Sequence, residues 1–388
     1  MTTLRPSSAP RPRRVLVRGV NWLGDAVMTT PALQRLREAL PEAHIALLTP
    51  HKLADLWQHH PSVNATITFS AGESPWSVAR RLRAEGFQAA LVLPNSARSV
   101  LEVWLARVPQ RIGYARGWRN CLLTQPVTPR PGHMRMPKRS VAEIRLLVRH
   151  TAEGSPPAAE CVPPRLAHQI HDYLHLAAAL GANSEPLPPR LEITSAEMRQ
   201  AEDAFLSDWR AKAQYTVPTK PLILLGLNPG AEYGPAKRWP AESFAAVVRE
   251  VSRKMPHCLW LAFGGEGDRV LCGEIDRLAG GRVLNLAGKT SLRQLMALLK
   301  LCRVVLTNDS GPMHVAAALG TPVVVPFGST SPELTGPGLP GNTRNQLLRS
   351  DAPCSPCFRR TCPIDFRCMT GIGPERVIEA VCRAISTG

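Results

Sequence analysis

Short apolar runs separated by helix-length amphipathic segments recur along the whole chain. Val15–Gly19, Ile45–Thr49 and Ala89–Pro94 read as strands, with helical segments such as Leu33–Leu40 and Val78–Glu85 between them. Runs this continuous suit parallel strands covered on both faces. The pattern restarts at Leu222–Leu227 and continues through Leu259–Phe263, Val283–Leu286, Val304–Thr307 and Val323–Phe327. Helices are expected at Phe244–Lys254, Arg269–Leu278, Leu292–Leu301 and Met313–Leu319, and Pro and Gly thicken around Thr151–Pro164 and Glu185–Arg190. Helical segments His168–Leu180 and Ala196–Lys212 flank the second of these stretches.

The fold expected is therefore α/β, with two doubly wound domains and a crevice between them. Residues 1–13 form a disordered basic tail, 14–190 a first Rossmann-like domain and 191–215 an inter-domain helical region. Residues 216–388 form the second Rossmann-like domain, with a Cys-rich loop at 354–368 and a C-terminal helix. In such sheets ligands bind beyond the carboxyl ends of the strands, so the residues just after each strand carry the chemistry.

After Val304–Thr307 the chain turns through Asn308-Asp309-Ser310-Gly311 into an apolar helix. A helix start has unpaired N–H groups and a partial positive charge, which suits an anion such as a diphosphate. Gly311 permits close approach, Asp309 and Ser310 add short polar side chains, and His314 lies one turn inside. An ordinary Asx-capped turn with a core-facing histidine has the same pattern. After the first strand, Asn21-Trp22-Leu23-Gly24-Asp25 places a carboxylate among apolar neighbours, where it could act as a general base or cap a helix. Thr30-Pro31 is a competing helix start a few residues on. The loop from Asn228 to Pro240 carries two glycines, Lys237 and Arg238, a phosphate-binding composition and equally that of a solvated loop. Glu266, after Gly264-Gly265, could accept bonds from sugar hydroxyls; Lys289 and Thr290 lie in the turn before Leu292, where Thr290 or Ser291 could instead cap the helix.

Charge adds a partner class. Residues 1–150 hold 22 Lys/Arg against 8 Asp/Glu, so most of the net +17 lies in the first half. Such a surface attracts nucleic acid, an anionic membrane face or a substrate rich in phosphate and carboxylate; an Arg- and Pro-rich chain can also simply reflect a high-GC genome. No run approaches the roughly 20 apolar residues of a membrane span, and the opening MTTLRPSSAPRPRR has no signal-peptide core, so a cytoplasmic location is expected. Cys121, Cys161, Cys258, Cys272 and Cys302 are scattered and read as reduced core or inert thiols. Cys354, Cys357, Cys362 and Cys368 form a C-x2-C-x4-C-x5-C cluster, compatible with a structural metal, with reduced thiols or with a partial disulfide.

These motifs resemble glycosyltransferase family 9, the ADP-heptose:lipopolysaccharide heptosyltransferases. The resemblance runs from Asn21–Asp25 through Leu93-Pro94-Asn95-Ser96 and 228–240 to Thr307–Leu319, and PGAEYGPAKRWP and TNDSGPMHVAAAL are its specific stretches. It implies a GT-B fold and inverting, metal-independent transfer of heptose from ADP-heptose to heptose I of the lipopolysaccharide inner core. No cofactor is implied, and the chain contains no Asp-x-Asp to hold a cation under a diphosphate. Asp25 matches the base. Lys237, Glu266, Thr290, Asp309, Ser310, Gly311 and His314 match the donor site, and Arg18, Asn95, Ser96 and Arg98 are expected on the acceptor side.

The partners implied are the ADP-heptose donor, a Kdo-lipid A/heptose I acceptor and the anionic inner-membrane surface, on whose cytoplasmic face the protein would sit peripherally. A monomer is expected. A family 9 enzyme using another sugar or acceptor is the nearest alternative. A nucleic-acid-binding protein with a Cys metal site is a remote one, disfavoured because no basic stripe is interleaved with aromatics.

Overall fold

A computed structural model of the chain describes residues 11–134, 137–152, 163–212 and 222–387. Among the described residues, twelve strands form two six-stranded, all-parallel sheets. The first contains β1 (Arg14–Arg18), β2 (His44–Pro50), β3 (Ala65–Phe69), β4 (Ala89–Val92), β5 (Gln110–Tyr114) and β6 (Gln125–Val127), ordered β3-β2-β1-β4-β5-β6. The second contains β7 (Ile223–Asn228), β8 (Cys258–Ala262), β9 (Val283–Asn285), β10 (Val304–Thr307), β11 (Val323–Pro326) and β12 (Gln346–Leu348), ordered β12-β11-β10-β7-β8-β9. Both are doubly wound, as the sequence reading expects.

The central strands are the ones with continuous β-branched or aliphatic runs. β4, β10 and β11 are buried at every residue, because helices cover both faces of a parallel sheet. The strands missed by the pattern reading, β3, β5, β6 and β12, lie toward the sheet edges and are partly exposed, so their sequences lack a sustained apolar run. In the first sheet β1 is the hub, Val15 pairing with Ile45 on one side and Ala89 on the other. In the second, β7 lies between β10 and β8, with Leu225 opposite both Val304 and Trp260. In each sheet the strand order reverses direction beside the hub, and the C-terminal edge at that reversal is where doubly wound folds bind ligands.

Chain contacts divide the protein into two units, one comprising the chain up to His133 with Leu166–Glu192, the other Met134–Arg165 with Ile193–Gly388. The first domain expected over 14–190 therefore loses 134–165 to the second unit. The reason lies in long-range contacts: Arg139 N–H donates to the Cys357 carbonyl at 3.1 Å, the Arg359 guanidinium donates to the Arg139 carbonyl at 3.0 Å, and Ile144 packs against Cys354 and Cys357. The helix Ser195–Lys212 also belongs to the second unit. Glu197 closes a capping box with Thr194 and grips Arg293 at 2.7 and 2.8 Å, an ion pair that pulls its carboxyl down to about 2. The C-terminal helix is present at Pro374–Thr387. Residues 1–10 of the tail and Cys161 lie outside the described residues.

Candidate functional site

In the first unit the switch point lies between β1 and β4. The chain leaves β1 through Gly19-Val20-Asn21-Trp22 into a single short helix, Leu23–Met28, and restarts at once as Thr30–Ala39 with Pro31 in its first turn. The competing start signal of Thr30-Pro31 is thus real. Asp25 lies in the first turn of the short helix and is half-buried. Tyr173, fully in the interior, has its phenol pushed well above the ordinary range, chiefly by burial and next by the charge of Asp25, which places the two near one another. Its hydroxyl accepts from Gln169 Nε2 at 2.6 Å.

Arg18 departs from expectation. It is 1 % exposed, its Nε bonded to Glu102 at 2.9 Å and its Nη1 to the Gly19 carbonyl at 2.6 Å and Asn21 Oδ1 at 3.0 Å. Its guanidinium also covers the Phe69 ring at 4.5 Å. A guanidinium so enclosed does not face an acceptor; it fixes the loop that leads to Asp25. Glu102, itself buried, also accepts from Arg98 Nε at 2.9 Å. After β4, Asn95 and Ser96 are exposed. Ser96 caps the helix Ala97–Leu105 through Ser99 N–H, and Asn95 Oδ1 accepts from the buried Arg119 at 3.2 Å. Along this same sheet edge stand three exposed tryptophans: Trp22 after β1, Trp76 after β3 and Trp118 after β5. Lys52 lies over the Trp22 ring at 5.3 Å.

In the second unit the switch point lies between β7 and β10, and the specific motifs gather there. The helix Gly311–Ala318 is N-capped by Ser310, whose backbone is extended. Pro312 has no N–H, so Gly311 and Met313 supply the orphan donors of this turn. Asn228, at the end of β7, donates to Ser310 Oγ at 3.1 Å. Lys237 Nζ pairs with Asp309 Oδ2 at 2.5 Å, and Thr330 Oγ1 donates to the same oxygen at 2.5 Å. Asp309 is 4 % exposed and His314 5 %, so both lie against the protein interior. The loop bearing Lys237 is fastened by Asn308, which is fully buried. Asn308 Oδ1 accepts from Trp239 N–H at 3.1 Å and its Nδ2 donates to the Pro229 carbonyl at 2.7 Å.

The neighbouring loops continue the row. After β8, Asp268 folds back on Gly265 N–H at 3.0 Å and nestles against Gly230 and Gly264, where a β-carbon would clash with it. Glu266 lies over Gly288, which has a positive φ of 73° and leaves room for the carboxylate. Glu266 is thereby brought beside the Ala287–Thr290 turn. Ser291, not Thr290, caps the following helix in a box with Gln294, so Thr290 is not needed for capping. From β10 through β7 and β8 to β9 the loops carry Asp309–Gly311, Lys237, Glu266 and Thr290 in that order, across about 14 Å of sheet edge at ordinary strand spacing.

The Cys-rich segment carries four cysteines within fifteen residues. Among the described residues no group of three or more His, Cys, Asp or Glu is placed to hold a metal ion, and the four cysteines are free. Cys354 and Cys357 pack with Ile144, Cys368 joins the core of the second unit, and Cys362 Sγ accepts from Phe366 N–H at 3.3 Å. Burial, and after it the neighbouring Cys354, Cys357 and Cys362, push the Cys368 thiol up to about 12. The segment instead buttresses the Lys237 loop. The Tyr233 hydroxyl donates to the Phe358 carbonyl at 2.7 Å and Ala236 N–H to the Arg360 carbonyl at 2.9 Å. Sequence reasoning missed Asn308, Glu102, Tyr233 and this buttress. Asn308, next to the Asp-Ser-Gly turn, and Tyr233, inside the Asn228–Pro240 loop, stood within motifs already singled out for their chemistry.

The family model described as glycosyltransferase family 9 (heptosyltransferase) matches residues 158–366, which include the Lys237 loop and the Asp309–Gly311 turn. Lipopolysaccharide heptosyltransferase 2 of Salmonella typhimurium is 31 % identical over 336 residues, covering 84 % of this chain and 85 % of the relative. Lipooligosaccharide heptosyltransferase 2 of Haemophilus ducreyi is 30 % identical over 338 residues, covering 84 % and 86 %. Among solved structures, E. coli ADP-heptose lps heptosyltransferase II superposes with a TM-score of 0.71 at 26 % identity over 96 % of this chain and 99 % of that one. A family 9 glycosyl transferase from Veillonella parvula shares the fold with a TM-score of 0.75 at 22 % identity, covering 97 % and 98 %. With its doubly wound sheets of the GT-B class and its family match over more than half its length, the chain belongs to glycosyltransferase family 9 and is a glycosyltransferase.

Proposed function

We propose that this enzyme transfers heptose from ADP-L-glycero-D-manno-heptose to heptose I of the lipopolysaccharide inner core, with inversion and without a metal ion. The observation that carries the donor half is the Lys237–Asp309 pair beside the Ser310–Gly311 helix start, at the switch point of the second sheet. In this reading the diphosphate lies on the Gly311 turn and Lys237. The nucleoside extends along the sheet edge toward Glu266, at the ribose, and Thr290, at the base. Asp309, held by Thr330 and Lys237, lies at the sugar end. The heptosyltransferase 2 relatives support the choice of sugar and acceptor.

Asp25 accepts the proton of the acceptor hydroxyl as its oxygen attacks the anomeric carbon. The bond from that carbon to the diphosphate oxygen breaks, and ADP departs with the electron pair. Negative charge then grows on the leaving diphosphate, where Lys237 and the backbone N–H groups of the helix start are already aimed, so little reorganisation is needed. The acceptor side is the C-terminal edge of the first sheet, where Asn95, Ser96 and Arg98 follow β4 and Trp22, with Lys52 over its ring, Trp76 and Trp118 are exposed. Aromatic and basic side chains together suit an anionic glycolipid at a membrane surface. No helix among the described residues is long and apolar enough to cross a membrane. In this reading charge holds the enzyme peripherally on the cytoplasmic face of the inner membrane, where it acts as a monomer.

The test is transfer from ADP-heptose, in EDTA, to inner-core acceptors with and without heptose I, using wild type and Asp25→Asn. Product formed only on the heptose-bearing acceptor, and lost in Asp25→Asn, is expected. Turnover by Asp25→Asn at the wild-type rate would remove Asp25 from the mechanism. Failure with both acceptors by a protein that binds ADP would move the enzyme to another sugar or acceptor within the family.

A further inference from the structure

Two cations share one aromatic ring beside the donor turn. Lys237 Nζ lies 4.8 Å from the Tyr233 ring centroid, and the Arg360 guanidinium carbon 5.3 Å from it. The two positive centres are therefore within about 10 Å of each other, whichever faces of the ring they occupy. The ring cannot swing away, because its hydroxyl is tied to the Phe358 carbonyl, two residues before Arg360. The Arg360 backbone is also pinned. Its carbonyl accepts from Ala236 N–H, and it sits so close over Gly234, whose φ is 149°, that a β-carbon there would lie 2.6 Å from the carbonyl oxygen.

The two cations differ in their charge balance. Lys237 has Asp309 as counter-ion, whereas Arg360 is exposed and its guanidinium has no hydrogen-bond or ion-pair partner among the described residues. Other arginines of the same segment are engaged: Arg359 with the Arg139 carbonyl, Arg367 with both oxygens of Asp365. A fixed backbone, an aromatic platform under the guanidinium and an unpaired positive charge beside Lys237 suit an anion contact. A guanidinium offers paired donors to adjacent phosphate oxygens, which an ammonium cannot.

We propose that Arg360 is a second cationic contact for the donor's diphosphate, carried onto the Tyr233 ring by the Cys-rich segment. The proposal rests on the reading that this turn binds a nucleoside diphosphate. It gives the segment a purpose independent of metal: to deliver one guanidinium to the leaving group.

The experiment is calorimetric titration of ADP and of adenosine into wild type, Arg360→Gln, Arg360→Lys and Arg367→Gln, the last removing an arginine that already has its carboxylate. Arg360→Gln is expected to weaken ADP binding by roughly 10- to 100-fold, the range of a charge-assisted hydrogen bond, with adenosine affinity unchanged. Arg360→Lys should recover part of the loss, and Arg367→Gln should match wild type. ADP affinity of Arg360→Gln within about twofold of wild type overturns the assignment, as does equal weakening of ADP and adenosine, which would mean only a disturbed loop. A wild-type protein that takes no ADP overturns the donor reading itself, and this contact with it.

Discussion

Asn308 is the residue whose removal tests the architecture of the proposed donor site most directly. Its side chain, shielded from solvent, joins the two ends of the 229–239 loop: Trp239 N–H donates to it and it donates to the Pro229 carbonyl. Asn308→Ala deletes both bonds and leaves two buried backbone groups without partners and without access to water. Each such orphan costs about 1–3 kcal/mol, so the substitution should destabilise the second unit by about 3 kcal/mol. For a unit of this size that corresponds to a drop in Tm of roughly 6–12 °C. Chemical denaturation with separate fits for the two units would measure the stability, and ADP titration would measure the consequence for Lys237, whose loop loses both anchors. Asn308→Asp keeps the acceptor for Trp239 but turns a carboxylate oxygen toward the Pro229 carbonyl. It should be worse than Ala at neutral pH and recover as acid neutralises it. An Asn308→Ala protein within about 0.5 kcal/mol of wild type, the range of an ordinary surface change, would refute the view that these two bonds hold the loop.

Other substitutions test other links. Lys237→Ala should weaken ADP binding and turnover together and leave Asp309 buried without its cation; unchanged ADP affinity, read by titration, would remove Lys237 from the donor site. Glu102→Ala should cost about 3–5 kcal/mol, because Arg18 keeps its charge in the core with no counter-ion, whereas Arg18→Met/Glu102→Leu should recover much of that loss in a denaturation series. Gly288→Ala combines a positive φ with overlap onto Glu266. It should reduce stability by about 1–3 kcal/mol and weaken ADP more than Lys289→Ala does, as titration would show. His60 is 4 % exposed and burial lowers its imidazole to about 4, so the folded protein resists protonating it while the unfolded chain does not. Its contribution is intact above about pH 6.5 and is lost as pH falls toward 4, and His60→Gln should flatten the stability profile in that window.

Much of this molecule was legible in the chain, because what was legible is local. The hub and central strands, β1, β4, β7, β10 and β11, are short apolar runs that suit a doubly covered parallel sheet, and several of the turns after them carry a cap or a glycine signal. The turn at Asp309–Gly311, proposed to hold the donor, could be read for the same reason: strand, polar turn and helix start are contiguous. The edge strands β3, β6 and β12 could not, since partial exposure removes the apolar signal and pairing alone makes them strands. Tertiary structure also decided what the charges do. Arg18, one basic residue among many in the sequence, is locked in the core by Glu102, eighty-four positions away. Residues 134–165 join the second unit because Arg139 and Ile144 find partners more than two hundred positions downstream. Composition could suggest a metal for the four cysteines, but a thiol's role depends on what surrounds it. Here three are packed into apolar neighbours, while the segment between them turns Phe358 and Arg360 toward Tyr233. Periodicity and turn chemistry are properties of neighbours in sequence. Burial, counter-ions and the buttressing of one loop by another depend on groups brought together from distant parts of the chain, and those only the folded structure supplies.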